Sequence, residues 1–577
     1  MNKITRTLTL ALGSCLALAS CSSYDGLTDF AVPWQDDPEK VKNPIVAAQI
    51  QDKGVWVDGI VNGTGITFYL KEDPSNWNNL PIRYTFDENI VCEENLPETV
   101  DLTRDCVIAA KDNFVDVSYT ISAVEYCPLD NIIATVGTER SEGLPGNDRT
   151  VTMLFTSQGL ESAEVEVVLK EGTRMVSPSQ AKSTQNLTAP VTIKVQDDVK
   201  TYEYTLSATS MNMPAEWKNI TSSYIEQGGV LPGHIKLCEK TVNTGIDINK
   251  AATSSRVVAA LIPAGHIDMK TQTGDYGGGK NYWYASSKLG DVVSANSTYN
   301  LFVGGMCVGF LKPELVPGYM NGGTIVREPY ADWNIKYYYT PPTIGVKDGK
   351  AEINYAEVID GKLYKFDAPQ FGADKSAFDL SKGEIWDVDA FVTGYSIPLH
   401  NGVKAVNYDY NENYGTAGKE YLALWTKERN FKFSTLKDGV LLDNGRSAAQ
   451  GVRKFIVDYW SETSAYNGMK SHWWDASHMG RVMMGVRENG DLIVLIGERY
   501  ADSYGKYIDY ANYPSRGISF KIGITELAAL GCTDAIAFSI NEMAACAIQD
   551  GGRGVDITKS LRTKDNDVTN STYIMFK

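Results

Sequence analysis

Between His478 and Gly552 the chain reads as two apolar runs, a helical segment and a third apolar run, and few folds accept that order. HMGRVMMGV and DLIVLIGERY are separated by turn residues at Asn489-Gly490. Their length and turn predict a hairpin of two buried strands. Ser519 to Leu530 has helical spacing, with Ile522, Leu527 and Leu530 on one side, and Gly531 is placed to stop it. Ala535 to Ile540 then predicts a third strand, and Asn541 to Ala547 a loop leaving it.

Charged residues stand at or near the ends of these strands. Gly480-Arg481-Val482-Met483-Met484-Gly485 opens the first, Gly497-Glu498-Arg499 closes the second, and Ser539-Ile540-Asn541-Glu542-Met543-Ala544 closes the third. The layout resembles the phosphodiester glycosidase family, whose best-known member removes N-acetylglucosamine from a phosphodiester. That family carries a Pro-Arg-Thr-Ala-x-Gly strand, an Asp-Gly-Arg strand end, a helix and an Asp-Gly-Gly-Gly-Ser-Ser loop. Arg481 and Arg499 match its arginines. Gly497 and Ser539 stand where it has aspartates, and its glycine run and serines are replaced. Upstream, Asn296 stands where the family has the Asn of an Asn-Gly-Gly motif. Thr343 to Gly349, Gly394 to Gly402 and Thr569 to Phe576 resemble later family strands. The resemblance covers residues 215–577 and implies an α+β domain acting on, or binding, sugar phosphodiesters or related glycans.

The N-terminus predicts export. Lys3 and Arg6 precede an apolar run from Leu8 to Ala19, ending Leu18-Ala19-Ser20-Cys21. This is a signal peptide over residues 1–20, too short to span a bilayer. A cysteine directly after Leu-Ala-Ser predicts cleavage and lipidation of Cys21, hence a membrane-tethered protein of the cell envelope. The alternative is a plain signal peptide with a chance cysteine. Nine cysteines fall to seven without Cys15 and Cys21, so at least one thiol is free. Cys92, Cys106 and Cys127 leave room for one disulfide, and no Cys-x-x-Cys pair predicts a thiolate metal site. The net charge of −17, with no basic patch to offset it, argues against nucleic acid as a partner.

Residues 21–43 are mostly polar and predict a tether. From 44 to 123, short alternating strands with Gly, Pro and Asn between them predict a β-sandwich. A second set over 124–210 ends in Thr192-Ile193-Lys194-Val195 and Tyr202-Glu203-Tyr204-Thr205-Leu206. That ending resembles the immunoglobulin-like repeats of surface lipoproteins in gut Bacteroidetes. The expected architecture is therefore multidomain: two all-β immunoglobulin-like sandwiches, a linker over Ser207 to Trp217, and the α+β head.

Arg481 and Arg499 have the planar fork that matches phosphate oxygens, and an arginine in an apolar strand needs a partner. The other reading is an internal ion pair. Asn296 is expected either to hold a sugar hydroxyl or to serve as a turn asparagine. Glycoside hydrolysis needs a carboxylic acid, and Glu542 and Glu498 are the nearest candidates. Glu498 is shifted by one residue along its strand, which turns it to the other face. Ser539, Asn541, Trp473 and Trp474 complete the expected binding residues, the tryptophans as platforms for sugar rings.

No cofactor or metal is expected. Gly274 to Asn281 departs from a phosphate loop at Asn281, and Asp409 to Glu420 departs from a calcium loop at Tyr414. His472, Asp475 and His478 lack a fourth ligand. The expected function is hydrolysis of a sugar phosphodiester or related glycan linkage, the alternative a non-catalytic glycan-binding or adhesion lipoprotein. The expected partners are a glycan or sugar-phosphate ligand and the membrane.

Overall fold

The computed structural model describes residues 44–577 apart from 88–95, 113–114, 147, 244–253, 274–286, 306–317, 328–337, 368–369, 373–374, 395, 405–435, 438–439, 442–479, 499–516, 519, 541–543, 559–568 and 571. The chain is mostly β-sheet, divided among several sheets. Contacts divide it into two compact units, one ending at Cys127 and one running from Pro128 to Lys577.

In the first unit, two four-stranded sheets share one core. Gly65–Leu70 turns in Ile66, Phe68 and Leu70 by period-2 alternation, and Ile45–Asp52 turns in Ala48 and Ile50 likewise, with Ile45 also inward across an irregularity between Ile45 and Ala47. The buried Tyr119 hydroxyl accepts the Ile45 N–H at 3.0 Å and ties the chain's entry to the opposite sheet.

The second unit starts with another pair of four-stranded sheets. They are bonded directly to the strands downstream of them. Leu154 N–H donates to the Gly233 carbonyl at 2.8 Å, and Asn219 Nδ2 donates to Glu139 at 2.9 Å. Lys236, 3% exposed, donates to Ser141 Oγ at 2.9 Å. Within the segment expected as a linker, Met211 and Trp217 are buried in a core shared with Leu154 and Cys238.

The remainder is organised by an antiparallel sheet of eight described strands. Its order is Lys218–Asn219, Lys236–Asn243, Ser254–Ile262, Leu492–Gly497, Arg481–Arg487, Cys532–Ile540, Ser396–His400 and Val403–Lys404. Its central strands are apolar on both sides because both faces are covered. Met483, Ile493, Leu495 and Ala537 face the helix Phe520–Ala529. Val258, Val482, Met484, Ile496 and Phe538 face a larger core. That core is shared with a five-stranded sheet containing Met269–Thr273, Leu301–Gly304 and Thr572–Phe576, and with a seven-stranded sheet containing Pro342–Lys347 and Lys350–Ile359. The hairpin turns at Gly490 (φ +90°), and the helix is followed by Gly531 (φ +84°), where a side chain would be strained. Among the described residues no helix is long and apolar enough to cross a membrane.

Candidate functional site

The three sequence motifs meet at one end of the long sheet. Arg481 begins its strand and pairs with Gly497 on one side and Ile540 on the other. The ends that lead into Arg499 and into Asn541 are therefore separated by one strand. Backbone proximity does not carry the side chains to one place, because alternate residues turn to opposite faces.

Arg481 lies on the helix face. It is 1% exposed, and its Nε donates to the Ile518 carbonyl at 2.8 Å. Its neighbour Gly497 is shielded there too: a Cβ at Gly497 would lie 2.3 Å from Ile518 Cγ1. Position 497 thus has no room for a side chain, which is a physical reason for glycine there. Lys240 pairs with Glu526 of the helix at 2.7 Å and fastens the same face.

Glu498 follows Gly497 and turns to the other face, toward the large core. It is 1% exposed, and its Oε2 lies 3.6 Å from Arg256 NH1. Arg256 is the third residue of the neighbouring strand Ser254–Ile262, in which Val257 pairs with Gly497. Its Nε donates to Glu239 at 2.7 Å, NH1 to the Ile557 carbonyl at 2.7 Å, and NH2 to Tyr224 Oη at 3.0 Å. Tyr224 Oη in turn donates to the Ile557 carbonyl at 3.1 Å. Burial raises the Tyr224 pKa; Arg256 opposes this, and Glu498 and Glu239 add to it. The phenol is therefore a neutral donor, and the Glu498 carboxyl group lies beside a guanidinium. Arg256 and Glu239 keep 18% and 32% of their side-chain surface exposed, so these two side chains are partly open to solvent.

Asn296 is elsewhere. It caps the helix Leu289–Ala295, which packs on the outer face of the five-stranded sheet. Its Nδ2 donates to Gln272 at 2.7 Å and to the Val292 carbonyl at 2.8 Å, and its Oδ1 accepts from Lys270 at 3.2 Å. The asparagine is 7% exposed and serves the helix end. Arg481, Glu498 and Asn296 thus occupy three successive interlayer spaces, and the expected convergence on one cleft does not hold for them. Between them stand two sheets whose packing excludes direct contact.

Ser539 belongs to strand Cys532–Ile540. Cys21, Trp473, Trp474, Arg499, Asn541 and Glu542 lie outside the described residues, as do the Gly274–Asn281 and Asp409–Glu420 segments and His472, Asp475 and His478. Among the described residues no group of three or more His, Cys, Asp or Glu is placed to hold a metal. Buried Cys238 and Cys532 have thiols pushed up to about 12, and burial raises Cys546 as well, so none is a ready nucleophile.

Sequence reading missed Arg256, Glu239 and Tyr224. Ser255-Arg256-Val257-Val258-Ala259-Ala260 carries the signal that singled out Arg481: a charge near the start of a strand that is apolar on both faces. Tyr224 has no such signal, because its place depends on a short helix, Thr221–Ile225, docking beside the strand Lys236–Asn243.

No protein-family model matches the chain, and no curated protein matches it. Among solved structures it is similar to the zebrafish N-acetylglucosamine-1-phosphodiester alpha-N-acetylglucosaminidase catalytic domain, auto-inhibited by its pro-peptide. The identity is 11% and the TM-score 0.32, over 60% of this chain and 85% of that one. It is also similar to a hypothetical protein from Synechocystis, at 11% identity and a TM-score of 0.28, over 92% of this chain and 96% of that one.

Proposed function

We propose that this is an envelope lipoprotein, tethered through Cys21, whose two immunoglobulin-like sandwiches precede an α+β head that binds a glycan or sugar phosphate without cleaving it. The ligand sits at the end of the long sheet on the Arg256 face. The observation that carries this reading is the ion pair between Glu498 and Arg256. Glu498 is enclosed at 1% exposure and paired with Arg256 rather than placed to meet a glycosidic oxygen, and Arg481 is turned to the opposite face. Guanidinium, phenol and carboxylate together offer the planar polar groups that sugar hydroxyls and phosphate oxygens use.

A second reading is hydrolysis of a sugar phosphodiester with Glu542 as the acid. It is favoured by the register that sets Gly497 and Ile540 on either side of Arg481, since the chain continues from those ends into Arg499 and Glu542. A panel of sugar-1-phosphodiesters separates the two. Saturable binding without product, weakened at least tenfold in Arg256→Ala, supports the binder. Product release that vanishes in Glu542→Gln supports the hydrolase, and neither binding nor turnover removes both. Cys21→Ala is expected to move the protein from the membrane fraction to the soluble one; unchanged partitioning would remove the anchor.

A further inference from the structure

We infer that the first unit carries its own sugar-binding platform, on the outer face of the sheet formed by Val55–Asp58, Ile45–Asp52 and Leu80–Phe86. The inner face of this sheet buries Ile50 and Ile82, so the alternate residues point outward. Trp56 stands opposite Gln51, Asp58 opposite Gln49, and Gln49 opposite Arg83. Trp56 keeps 36% of its surface exposed, on an edge strand, where a large apolar ring has no core to join.

Polar side chains beside the ring are fixed in a row across three strands. Arg83 Nε donates to Gln49 Oε1 at 2.5 Å, and Gln49 Nε2 donates to Asp58 Oδ1 at 2.6 Å. The Arg83 guanidinium carbon lies 4.2 Å from the Trp56 ring centroid, which orients the indole. The guanidinium lies over one face of the indole, with the amide and the carboxylate tied to it, so the opposite face of the ring is the one that fits a pyranose. The C–H face of the sugar covers the indole, and vicinal hydroxyls reach the planar polar groups. The row is held before any ligand arrives, which lowers the ordering cost of binding. Asp58 and Arg83 balance in charge, and the chain as a whole carries −17, so the ligand class is a neutral oligosaccharide.

This site is separate from the one on the head, and the experiment keeps them separate. The full chain is titrated calorimetrically with cellohexaose, mannohexaose, xylohexaose and maltohexaose. At least one is expected to bind with a dissociation constant on the order of 0.1–1 mM. Trp56→Ala is expected to weaken that binding about tenfold or more, and Trp56→Tyr to keep it within about threefold, because the ring is what the sugar needs. Unchanged thermal unfolding of both variants shows that the loss is local. Arg256→Ala in the head is expected to leave this binding unchanged. The proposal is overturned if none of the four sugars binds, or if Trp56→Ala binds as tightly as the parent chain. It is equally overturned if sedimentation shows that Trp56→Ala instead abolishes a self-association of the chain through this edge strand.

Discussion

The two faces of the long sheet treat a buried charge differently at the same end. On the helix face, the Arg481 guanidinium is sealed beneath the Ile518 backbone, and Gly497 beside it is in contact range of the Ile518 side chain. On the core face, Arg256 is held among Glu239, Glu498 and Tyr224 and remains partly open. The motif arginine is thus a buried structural charge, while the partly open one, Arg256, lies outside every motif. The difference teaches that an arginine matched by motif is not thereby a ligand contact; strand parity decides.

The largest effect should come from forcing the helix face to look like the family. Gly497→Asp introduces the aspartate that the resembled motif carries, but it places a Cβ where Ile518 already is and adds a buried carboxylate. A loss of about 4 kcal/mol is expected, read as a lower urea midpoint, with no gain of hydrolysis. A stable Gly497→Asp protein that cleaves a sugar phosphodiester would break the comparison.

Replacing each arginine sharpens it. Arg481→Ala empties a fully buried site and leaves the Ile518 carbonyl without its guanidinium donor, so about 3 kcal/mol should be lost. Arg256→Ala removes a side chain that is partly solvated, and about 1–2 kcal/mol is expected. Ligand binding should follow the opposite order among variants that stay folded: lost in Arg256→Ala, kept in Arg481→Met, which preserves volume. Equal binding losses in the two would mean that both faces contact the ligand.

Much of this end was legible in the sequence. The hairpin around Gly490, the helix stopped before Gly531 and the strand ending at Ile540 all follow from periodicity and turn chemistry, which are local. The meeting of the three strand ends was legible too, since a hairpin and a returning strand bring their ends together. Which face each side chain takes was not. Between Arg481 and Met483 the partner strand advances from Ile540 back to Ala537, an irregularity that breaks the two-residue count. Asn296 was illegible for another reason. Its helix packs on a second sheet, whose strands Met269–Thr273 and Thr572–Phe576 are joined only by tertiary pairing across the whole domain.

The opposite end of the same sheet offers the smallest effect and an internal reference, because its charge pair has no open side-chain fork to present. His400 Nδ1 lies 2.8 Å from Asp534 Oδ1, and its Nε2 lies 2.9 Å from the Asp367 carbonyl. The hydrogen bond to Asp534 raises the His400 pKa above its ordinary value; burial opposes this, while the charge of Asp534 and the Asp367 carbonyl reinforce it. Burial acts to raise the Asp534 pKa, but hydrogen bonds from His400, Asn401 N–H and Thr533 outweigh it and leave the carboxyl lowered. A raised histidine contributes stability that is complete below its unfolded pKa of about 6.5 and is lost as pH rises through the folded value. A lowered aspartate contributes above its unfolded pKa and loses that contribution as pH falls through the folded value. The pair is therefore strongest in mildly acidic solution. His400→Gln should remove on the order of 1 kcal/mol there and much less at pH 9, measured as urea midpoints across that range. Sugar binding at the Arg256 end should not change in this variant at either pH. A parallel loss of binding would mean that the two ends of the sheet are coupled, and that the contrast between its faces is not set locally by strand parity.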